Sequence, residues 1–473
     1  MTLTSILIFC VGALLYGWLL PARWRGWALF VASVIAIYWL QPTLVVFPLD
    51  FALPTATLVL TIASWYLTSQ PTVQRDDQIA LGVMAALVLL LAVLGTYVEK
   101  LTPSVPPPFL HVLLALVGIA AVLLVLTFIV QDKARMLPVM ILLIIAVFIV
   151  LKWEPLTIAF AAWMRSQTGR QPALATALDV GWLGFSYVAF RLIHTIRERQ
   201  MGKLPDLTLR EYVTYVIFFP SFTAGPIDRA ERFIKDYRAL PTTQPLLDSA
   251  RVLDGGQRVA VGLFKKFVLA SLLFPIALSA QNALQPQSAG GLWVFLYAYA
   301  FLLYFDFSGY SDIAIGIGRL YGVSLPENFN NPYLKSSITT FWQSWHITLS
   351  TWARFYVFTP LSRVLIKRKV PTDLAVLITQ VATMLVIGLW HGISLNFILW
   401  GLWHGVGLWL HKLYSDRTRL WYLTLKQNPQ VYRITEAAGI LLTFHFVLLG
   451  WVWFALPSVD LSATVFRRLF GGG

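Results

Sequence analysis

The stretch that decides the fold is Leu374–Trp403, with the sequence LAVLITQVATMLVIGLWHGISLNFILWGLW. It is apolar along almost its whole length, as expected of a segment embedded in a membrane. Within it, Gly388–Gly392 (GLWHG) places the imidazole of His391 at membrane depth. A titratable side chain at that depth is costly unless another group pairs with it or a reaction uses it. We therefore treat His391 as a candidate functional residue.

Composition places the chain among integral membrane proteins. Of its 473 residues, 58% are hydrophobic and 12% are charged, whereas soluble domains average about 25% charged residues. The 19 Trp and 31 Phe residues fit aromatic belts at two membrane interfaces. The formal net charge of +14 comes from Lys and Arg in short loops between apolar runs, where they set topology and meet anionic head groups. We expect membrane lipids, and no nucleic acid, as partners.

Several kinds of site are excluded by the residues present. Cys10 is the only cysteine, so the chain has no intrachain disulfide and no thiolate metal cluster. The histidines lack a metal-ligand spacing such as His-Glu-x-x-His, and there is neither a Walker-type phosphate loop nor a Gly-x-Ser-x-Gly nucleophile elbow. The sequence therefore predicts no metal and no bound cofactor.

Apolar runs of about 17–25 residues predict membrane spans. The fold class that follows is an all-α polytopic membrane protein with about 11–13 helices, counting re-entrant segments. The run Tyr212–Ala224 is short and broken by Pro220, so we expect it to tilt or re-enter. The first run lacks a basic start and a cleavage site and is expected to be a retained helix. The predicted spans are Leu3–Leu20, Trp27–Leu40, Phe51–Leu67, Ile79–Val98, Phe109–Val130, Met136–Leu151, Ala173–Ile196, Gln257–Gln281, Leu292–Leu320, Leu374–Trp390, Leu395–Leu413 and Ala437–Leu456.

Basic loops predict the orientation. Loops near Arg23, Lys133 and Arg197, and again at Arg363–Lys369, fall on one side if the runs alternate. The positive-inside rule makes that side cytoplasmic. We expect a multi-pass protein of the inner (cytoplasmic) cell membrane, with residues 1–163 forming an amino-terminal helical collar and residues 164–473 a catalytic membrane core.

The segment Asp306–Ile366 is too polar for a simple span and too aromatic for a solvated loop. Irregular backbone at membrane depth is tolerated where protein or a water-filled cavity surrounds it. We interpret the segment as a re-entrant element that lines a cavity. Its distinctive side chains are Asp306, Asp312, Trp342, Trp345, His346, Trp352 and Arg354.

Two histidines fit the needs of acyl transfer. Moving an acyl group from a thioester to a hydroxyl needs a base, donors for the tetrahedral oxyanion and room for the acyl chain. Desolvation would keep His391 neutral and so able to act as the base. His346 is suited to orient the thioester carbonyl or to stabilise the oxyanion. On composition alone, a single histidine in an apolar helix is more often structural.

The chain resembles the membrane-bound O-acyltransferase (MBOAT) family at these residues. Phe341–Ser350 (FWQSWHITLS) is similar to the family's Trp-His-x-Ser-Leu-Ser segment, and Gly388–Gly392 to its histidine segment. Phe305–Asp312 (FDFSGYSD), with the following PENF, resembles the branch that contains the alginate O-acetylase membrane subunit. Phe222–Arg229 (FTAGPIDR) resembles the branch of teichoic-acid D-alanylation.

The resemblance implies a fold in which helices surround a thin plate, with the key histidine in a central tunnel. A cytoplasmic thioester donor enters on one side, and the acyl group leaves on the other. His391 is implied to be the essential histidine and His346 the second active-site histidine. Where the alginate-type relatives have Arg-Asp-Tyr, this chain has Arg354-Phe355-Tyr356, which leaves the donor open. The expected tunnel or supporting residues are Trp342, Trp345, Trp390, Asn396, Asp306 and Arg354.

The expected function is an O-acyltransferase that moves an acyl group, acetyl being favoured over aminoacyl, to an extracytoplasmic polysaccharide or cell-envelope hydroxyl. Acetyl-CoA or an acyl carrier protein thioester is the expected co-substrate, and a partner acyltransferase is expected outside the membrane. The alternative within the class is D-alanyl transfer from a carrier protein to a teichoic-acid-like polymer.

Two further hypotheses come from other classes. Asp306, Asp312 and Arg319 would suit a transporter or a lipid-linked glycan flippase, because intramembrane charges often mark transport paths. Against this, the two halves of the chain show no matching interrupted helices. A structural subunit that only anchors a partner would have little reason to keep polar groups in an apolar core.

Overall fold

The computed structural model describes residues 2–69, 73–129, 132–243 and 245–472 of the chain. This part of the chain consists of helices and connecting segments and contains no strand. Eight of its helices are long and apolar enough to cross a membrane. The predicted all-α polytopic membrane fold is confirmed. The eight spans are Leu49–Thr68, Arg75–Tyr97, Phe109–Phe128, Lys133–Lys152, Ser249–Ile276, Ala289–Leu320, Thr372–His391 and Pro429–Ala455.

The chain forms two compact units. The first comprises Met1–Val259 and Ala314–Leu325, and the second Ala260–Ile313 and Pro326–Gly473. This is a division by packing. The predicted collar and core are a division by role, which stays a prediction.

The helices up to residue 263 are α1 (Leu3–Leu19), α2 (Arg25–Trp39), α3 (Leu49–Thr68), α4 (Arg75–Tyr97), α5 (Phe109–Ile129), α6 (Lys133–Lys152), α7 (Glu154–Gln167), α8 (Phe185–Gln200), α9 (Leu209–Val216), α10 (Ala230–Ala239) and α11 (Ser249–Leu263). A π-helical turn, Phe264–Leu269, continues α11 into α12 (Ala270–Leu273). The later helices are α13 (Ala289–Leu320), α14 (Ile338–Trp342), α15 (Ile347–Ala353), α16 (Thr359–Lys367), α17 (Thr372–His391), α18 (Leu395–Leu425), α19 (Pro429–Ala455) and α20 (Val459–Leu469).

The predicted spans agree with these bounds to within a few residues in most cases, since apolar length sets them. Val130, the last residue of one predicted span, lies outside the described residues. The predicted span Ala173–Ile196 is wrong, because helix α8 begins only at Phe185. Two short 3₁₀ turns precede it. Gly184, directly before α8, has a φ of +73°, so the helix does not extend back beyond it.

Several polar groups buried in the first unit are paired with one another or with backbone. The Arg191 guanidinium donates to the Val216 carbonyl at 2.7 Å and to Ser221 Oγ at 2.7 Å. Asp179 accepts from Arg165. These contacts bind α7 and α8 to the segments around them.

In the second unit, α11 and α13 cross closely at two glycines. A Cβ atom on Gly262 would lie 2.6 Å from the Gly309 carbonyl oxygen, and one on Gly309 would lie 2.8 Å from that of Gly262. Such small-residue crossings are typical of membrane helices. The crossing places α13, whose side chains form one wall of the site described next.

Candidate active site

His346 lies at a break between two short helices. Helix α14 ends at Trp342 and α15 begins at Ile347, and His346 between them has a left-handed backbone with φ of 43° and ψ of 54°. Few residues other than glycine adopt this conformation. The helical segment through Trp342 and Trp345 is therefore interrupted before α15, and the His346 imidazole lies in the protein interior, where the residue is only 2% exposed.

The His346 imidazole is held by Asn328. Its Nδ1 atom lies 3.1 Å from Asn328 Oδ1. The same oxygen accepts from the backbone N–H of Thr348 at 3.3 Å and from its hydroxyl at 2.9 Å. Asn328 is fully buried, and its amide nitrogen donates to Ser311 Oγ on α13 at 3.2 Å. Among the described residues, none forms a hydrogen bond with His346 Nε2.

His391 is the last residue of α17 and is half-buried. Gly388, one turn earlier, allows the first turn of α18 to approach, since a Cβ there would lie 2.4 Å from the Phe397 carbonyl oxygen. The close approach surrounds the imidazole with aromatic rings. The ring centroids of Phe454, Trp400 and Phe397 lie 4.6, 5.8 and 5.9 Å from that of His391.

Trp390 connects the two histidines. Its ring centroid lies 4.5 Å from that of His391 and 5.9 Å from that of His346. Phe307 of α13 packs edge-on against the other side of His346 at 4.7 Å. The two imidazoles predicted from distant parts of the sequence thus share one aromatic neighbour in the second unit.

A cavity of about 320 Å³ lies beside this arrangement. It is bordered by Ile347, which follows His346, and by Ile387, one helical turn before His391. Arg354 is the only charged side chain among the described residues that line it. The full lining is Thr339, Trp342, Gln343, Ile347, Ser350, Thr351, Arg354, Phe358, Gln380, Thr383, Met384, Ile387 and Leu408.

Two of the predicted supporting residues line this cavity and four do not. Trp342 and Arg354 line it, and Trp390 bridges the histidines. Trp345 packs in a neighbouring aromatic stack, 5.2 Å from Trp451. Asn396 is buried and donates to the Leu456 carbonyl at 2.7 Å and to Ser462 Oγ, which ties α18 to the chain after α19.

Asp306 lies elsewhere on α13, in an ion pair with Lys266 of the π-helical turn. Asp312 is paired in the same way with Lys265 at 2.7 Å. Two of the three charges that suggested a transport path are therefore neutralised by lysines of the adjacent helix. The third, Arg319, is paired with Asp254 in the first unit.

Some residues of the site were not predicted. Asn328 was noted within PENF for its resemblance, with no role, and Phe307, Trp400 and Phe454 were not singled out. His404 is fully buried, and Trp342 Nε1 donates to its Nδ1 at 3.4 Å. Aromatic residues are so frequent in this sequence that no local signal separates Phe307, Trp400 and Phe454 from the others.

Comparison with known sequences identifies the class of membrane protein to which this fold belongs. The family model of the membrane-bound O-acyltransferases matches residues 139–453. The chain belongs to this family. It is accordingly a multi-pass membrane protein and an acyltransferase, as the sequence predicted.

Similar proteins are named for the transfer of different acyl groups. The chain is 34% identical over 291 residues to a teichoic acid D-alanyltransferase of Streptococcus thermophilus, covering 58% of this chain and 68% of that one. It is 35% identical over 292 residues to a probable alginate O-acetylase of Pseudomonas putida, covering 62% and 56%. It is 34% identical over 261 residues to a peptidoglycan O-acetyltransferase of Helicobacter pylori, covering 55% and 46%.

Proposed function

We propose that this protein transfers an acetyl group from a cytoplasmic thioester to a hydroxyl of an extracytoplasmic polysaccharide or cell-envelope polymer. The observation that carries the proposal is the pair His346 and His391, brought together against Trp390 beside a cavity large enough for a thioester arm. His391 and His346 are the proposed catalytic residues. They would divide two tasks between them: taking the hydroxyl proton and stabilising the oxyanion.

The cavity and its surroundings support a donor that is a thioester with phosphate groups. Arg354 and Phe358 border the cavity, and α16 follows directly. The exposed basic group Arg363, Lys367, Arg368 and Lys369 lies on and after that helix. The phosphate groups of coenzyme A or of a carrier's phosphopantetheine are complementary to these cations. The positive-inside rule places the same loop on the cytoplasmic side, where such thioesters occur.

The charges of the cavity favour acetyl over D-alanyl. A D-alanyl group carries an ammonium, which would need a carboxylate or several acceptors when removed from water. The described lining contains no carboxylate, and its one charge, Arg354, has the same sign as an ammonium. An uncharged acyl group avoids this conflict. Acetyl-CoA is therefore the proposed donor. The alternative donor is a carrier charged with D-alanine, because two of the relatives are named as D-alanyltransferases.

If the acceptor lies outside the membrane, a second protein is needed there to pass the acyl group to it. We propose that a partner acyltransferase on the extracytoplasmic side completes the transfer to the polymer. The proposal predicts that the membrane protein alone turns over the donor slowly, by hydrolysis, and that the polymer becomes labelled only when the partner is added.

A donor comparison tests the function. The purified protein in nanodiscs would be given radiolabelled acetyl-CoA or a carrier protein charged with labelled D-alanine, and release of label would be followed. Turnover of acetyl-CoA and not of the charged carrier is expected. Turnover of the carrier alone would replace acetyl by D-alanyl. Glycan flux across liposomes with no acyl donor present would instead favour a transporter.

A further inference from the structure

The hydrogen bonds around Asn328 fix which nitrogen of His346 carries a proton. The amide of Asn328 has two ends, and its orientation follows from Thr348. A backbone N–H can only donate, so the atom that it contacts at 3.3 Å must be the carbonyl oxygen Oδ1. The amide nitrogen then faces Ser311 Oγ, which can accept from it.

The tautomer of His346 follows from that orientation. Oδ1 of Asn328 can only accept, and it lies 3.1 Å from His346 Nδ1. This contact is a hydrogen bond only if Nδ1 carries the proton. Burial of the ring between Phe307 and Trp390 disfavours the charged imidazolium. In the neutral ring Nε2 is then the bare nitrogen, with a lone pair and no hydrogen-bond partner among the described residues.

The same contacts hold the ring in place. The left-handed backbone of His346 is strained and persists only where its surroundings determine it. Asn328 stabilises this conformation in two ways. Its backbone carbonyl accepts from the Ile347 N–H at 2.9 Å, and its side chain binds Thr348 and the imidazole of His346. One buried residue thus sets the backbone, the orientation and the tautomer of His346.

We propose that Asn328 is a positioning residue that presents His346 Nε2 as the proton acceptor of the reaction, an inference that rests on the proposed acyl transfer. A neutral imidazole protonated at Nδ1 cannot donate from Nε2 to an oxyanion, so the role predicted for His346 from the sequence changes. The proton of the acceptor hydroxyl moves to Nε2, and its oxygen bonds to the thioester carbonyl carbon. The carbon–sulfur bond then breaks, and the leaving thiolate takes the proton back from Nε2. His391 is left to donate to the thioester oxygen.

The tautomer is measurable without any assay of transfer. The full-length protein would be labelled with ¹⁵N-histidine in nanodiscs, and the His346 signals assigned by comparison with His346→Gln. A protonated Nδ1 and a bare Nε2 are expected. In Asn328→Ala the signals are expected to shift towards the other tautomer or a mixture. A wild-type His346 protonated at Nε2 would overturn the proposal, whatever the activity.

Kinetics of matched variants provide the second readout. Asn328→Leu should lower kcat by about 10-fold or more with little change in the KM of the donor, because the base is misoriented and binding is not. Asn328→Asp keeps an accepting oxygen on Nδ1–H and should recover most of the rate. Thr348→Val removes one bond to the same oxygen and leaves the imidazole contact, so it should lower kcat less than Asn328→Leu. Equal loss in Asn328→Asp and Asn328→Leu would refute the positioning role.

The two readouts separate this proposal from the proposed function. If no donor is turned over by the wild type, acetyl transfer fails while the tautomer remains to be measured. If transfer occurs and the tautomer is the opposite one, the function stands and the assignment of Asn328 falls.

Discussion

His194 and His346 are buried equally and differ in what their Nε2 atoms contact. Each side chain is 2% exposed, one in the first unit and one in the second. His194 Nε2 accepts from the backbone N–H of Ala230 at 3.0 Å, the first residue of α10. An imidazole in this position satisfies a helix end that has no partner within the helix. In His346, the hydrogen bond to Asn328 uses Nδ1, and Nε2 has no protein partner in the described part of the chain.

The difference teaches that burial alone does not identify a catalytic histidine. A buried polar atom without a partner is costly and rare in proteins, so its presence calls for an explanation. In the first unit the buried polar groups Arg191, Asp179 and His194 all bind the protein itself. In the second unit, His346 Nε2 has no partner among the described residues, and its ring lies against Trp390, the neighbour of His391. Paired polar groups such as those of the first unit stabilise a fold. A nitrogen left without a partner in the ranges that the structure describes, such as His346 Nε2, is suited to contact a substrate.

The largest expected effect is on the rate of transfer in His346→Gln. Loss of a general base lowers such rates by about 10²–10⁴-fold, and Gln retains a polar group that Asn328 can contact. Single-turnover transfer of a labelled acyl group from the donor measures this. The thermal unfolding midpoint should change little.

The same substitution at His194 is the matched control. His194→Gln moves the acceptor of the Ala230 N–H away from the position of Nε2 and should lower stability by about 1–3 kcal/mol, the cost of a poorly satisfied buried donor. The rate per folded molecule should stay at the wild-type level. If both variants lost the rate equally, the distinction between the two histidines would be wrong.

The next effect concerns backbone packing in the second unit. In Gly262→Ala the new Cβ would meet the Gly309 carbonyl, which cannot move without α13. Such overpacking costs about 1–3 kcal/mol and should lower the yield and the unfolding midpoint in detergent. Gly82→Ala on α4, where nothing lies within 4 Å of the added atom, should leave both unchanged. Equal midpoints for the two variants would show that the crossing is not tight.

A smaller effect is expected on donor binding. Arg354→Met removes the one charge from the described cavity lining, and the KM for the thioester should rise about 10-fold, the value of one charge-assisted hydrogen bond. Its kcat should change less. Arg363→Met, on the exposed face of α16, should raise the KM less. A lowered kcat at unchanged KM would place the anionic part of the donor elsewhere.

The smallest effect belongs to an ion pair of the first unit. The hydrogen bond from Arg165 holds the pKa of Asp179 below its usual value. A carboxyl whose pKa is lowered by folding contributes stability above its unfolded pKa of about 3.9 and loses it as the pH falls further. Asp179→Asn should therefore lower the unfolding midpoint at pH 7, and the difference from wild type should shrink on acidification below pH ~4. The transfer rate should not change.

The sequence was sufficient where the signal is local. Apolar length predicted Leu374–Trp390 and Leu292–Leu320 close to the observed α17 and α13. The assignment of His346 and His391 as site residues, made from two sequence motifs, stays a prediction. It failed at Ala173–Ile196, because a run of apolar residues does not show that Gly184 adopts a left-handed turn. The predicted division at residue 163 and the roles of the supporting residues stay predictions.

The contacts of Asn328 were beyond prediction for a physical reason. They join Asn328 to Ser311, His346 and Thr348, which lie 17, 18 and 20 positions from it along the chain. They also depend on the left-handed backbone at His346, a conformation that few residues other than glycine adopt. The pairing of Asp306 with Lys266 is equally non-local, 40 positions along the chain. In both cases the chemistry of the residues was visible in the sequence, and only the fold supplied their partners.

The central claim is that acyl transfer takes place at the histidine pair of the second unit. Its most direct test is single-turnover release of a labelled acyl group from the thioester donor by the purified protein in nanodiscs, for wild type and for His391→Ala. A loss of at least about 10²-fold is expected, as for removal of one oxyanion donor or base, with the protein still folded and inserted. Transfer by a folded His391→Ala variant at the wild-type rate would contradict the account.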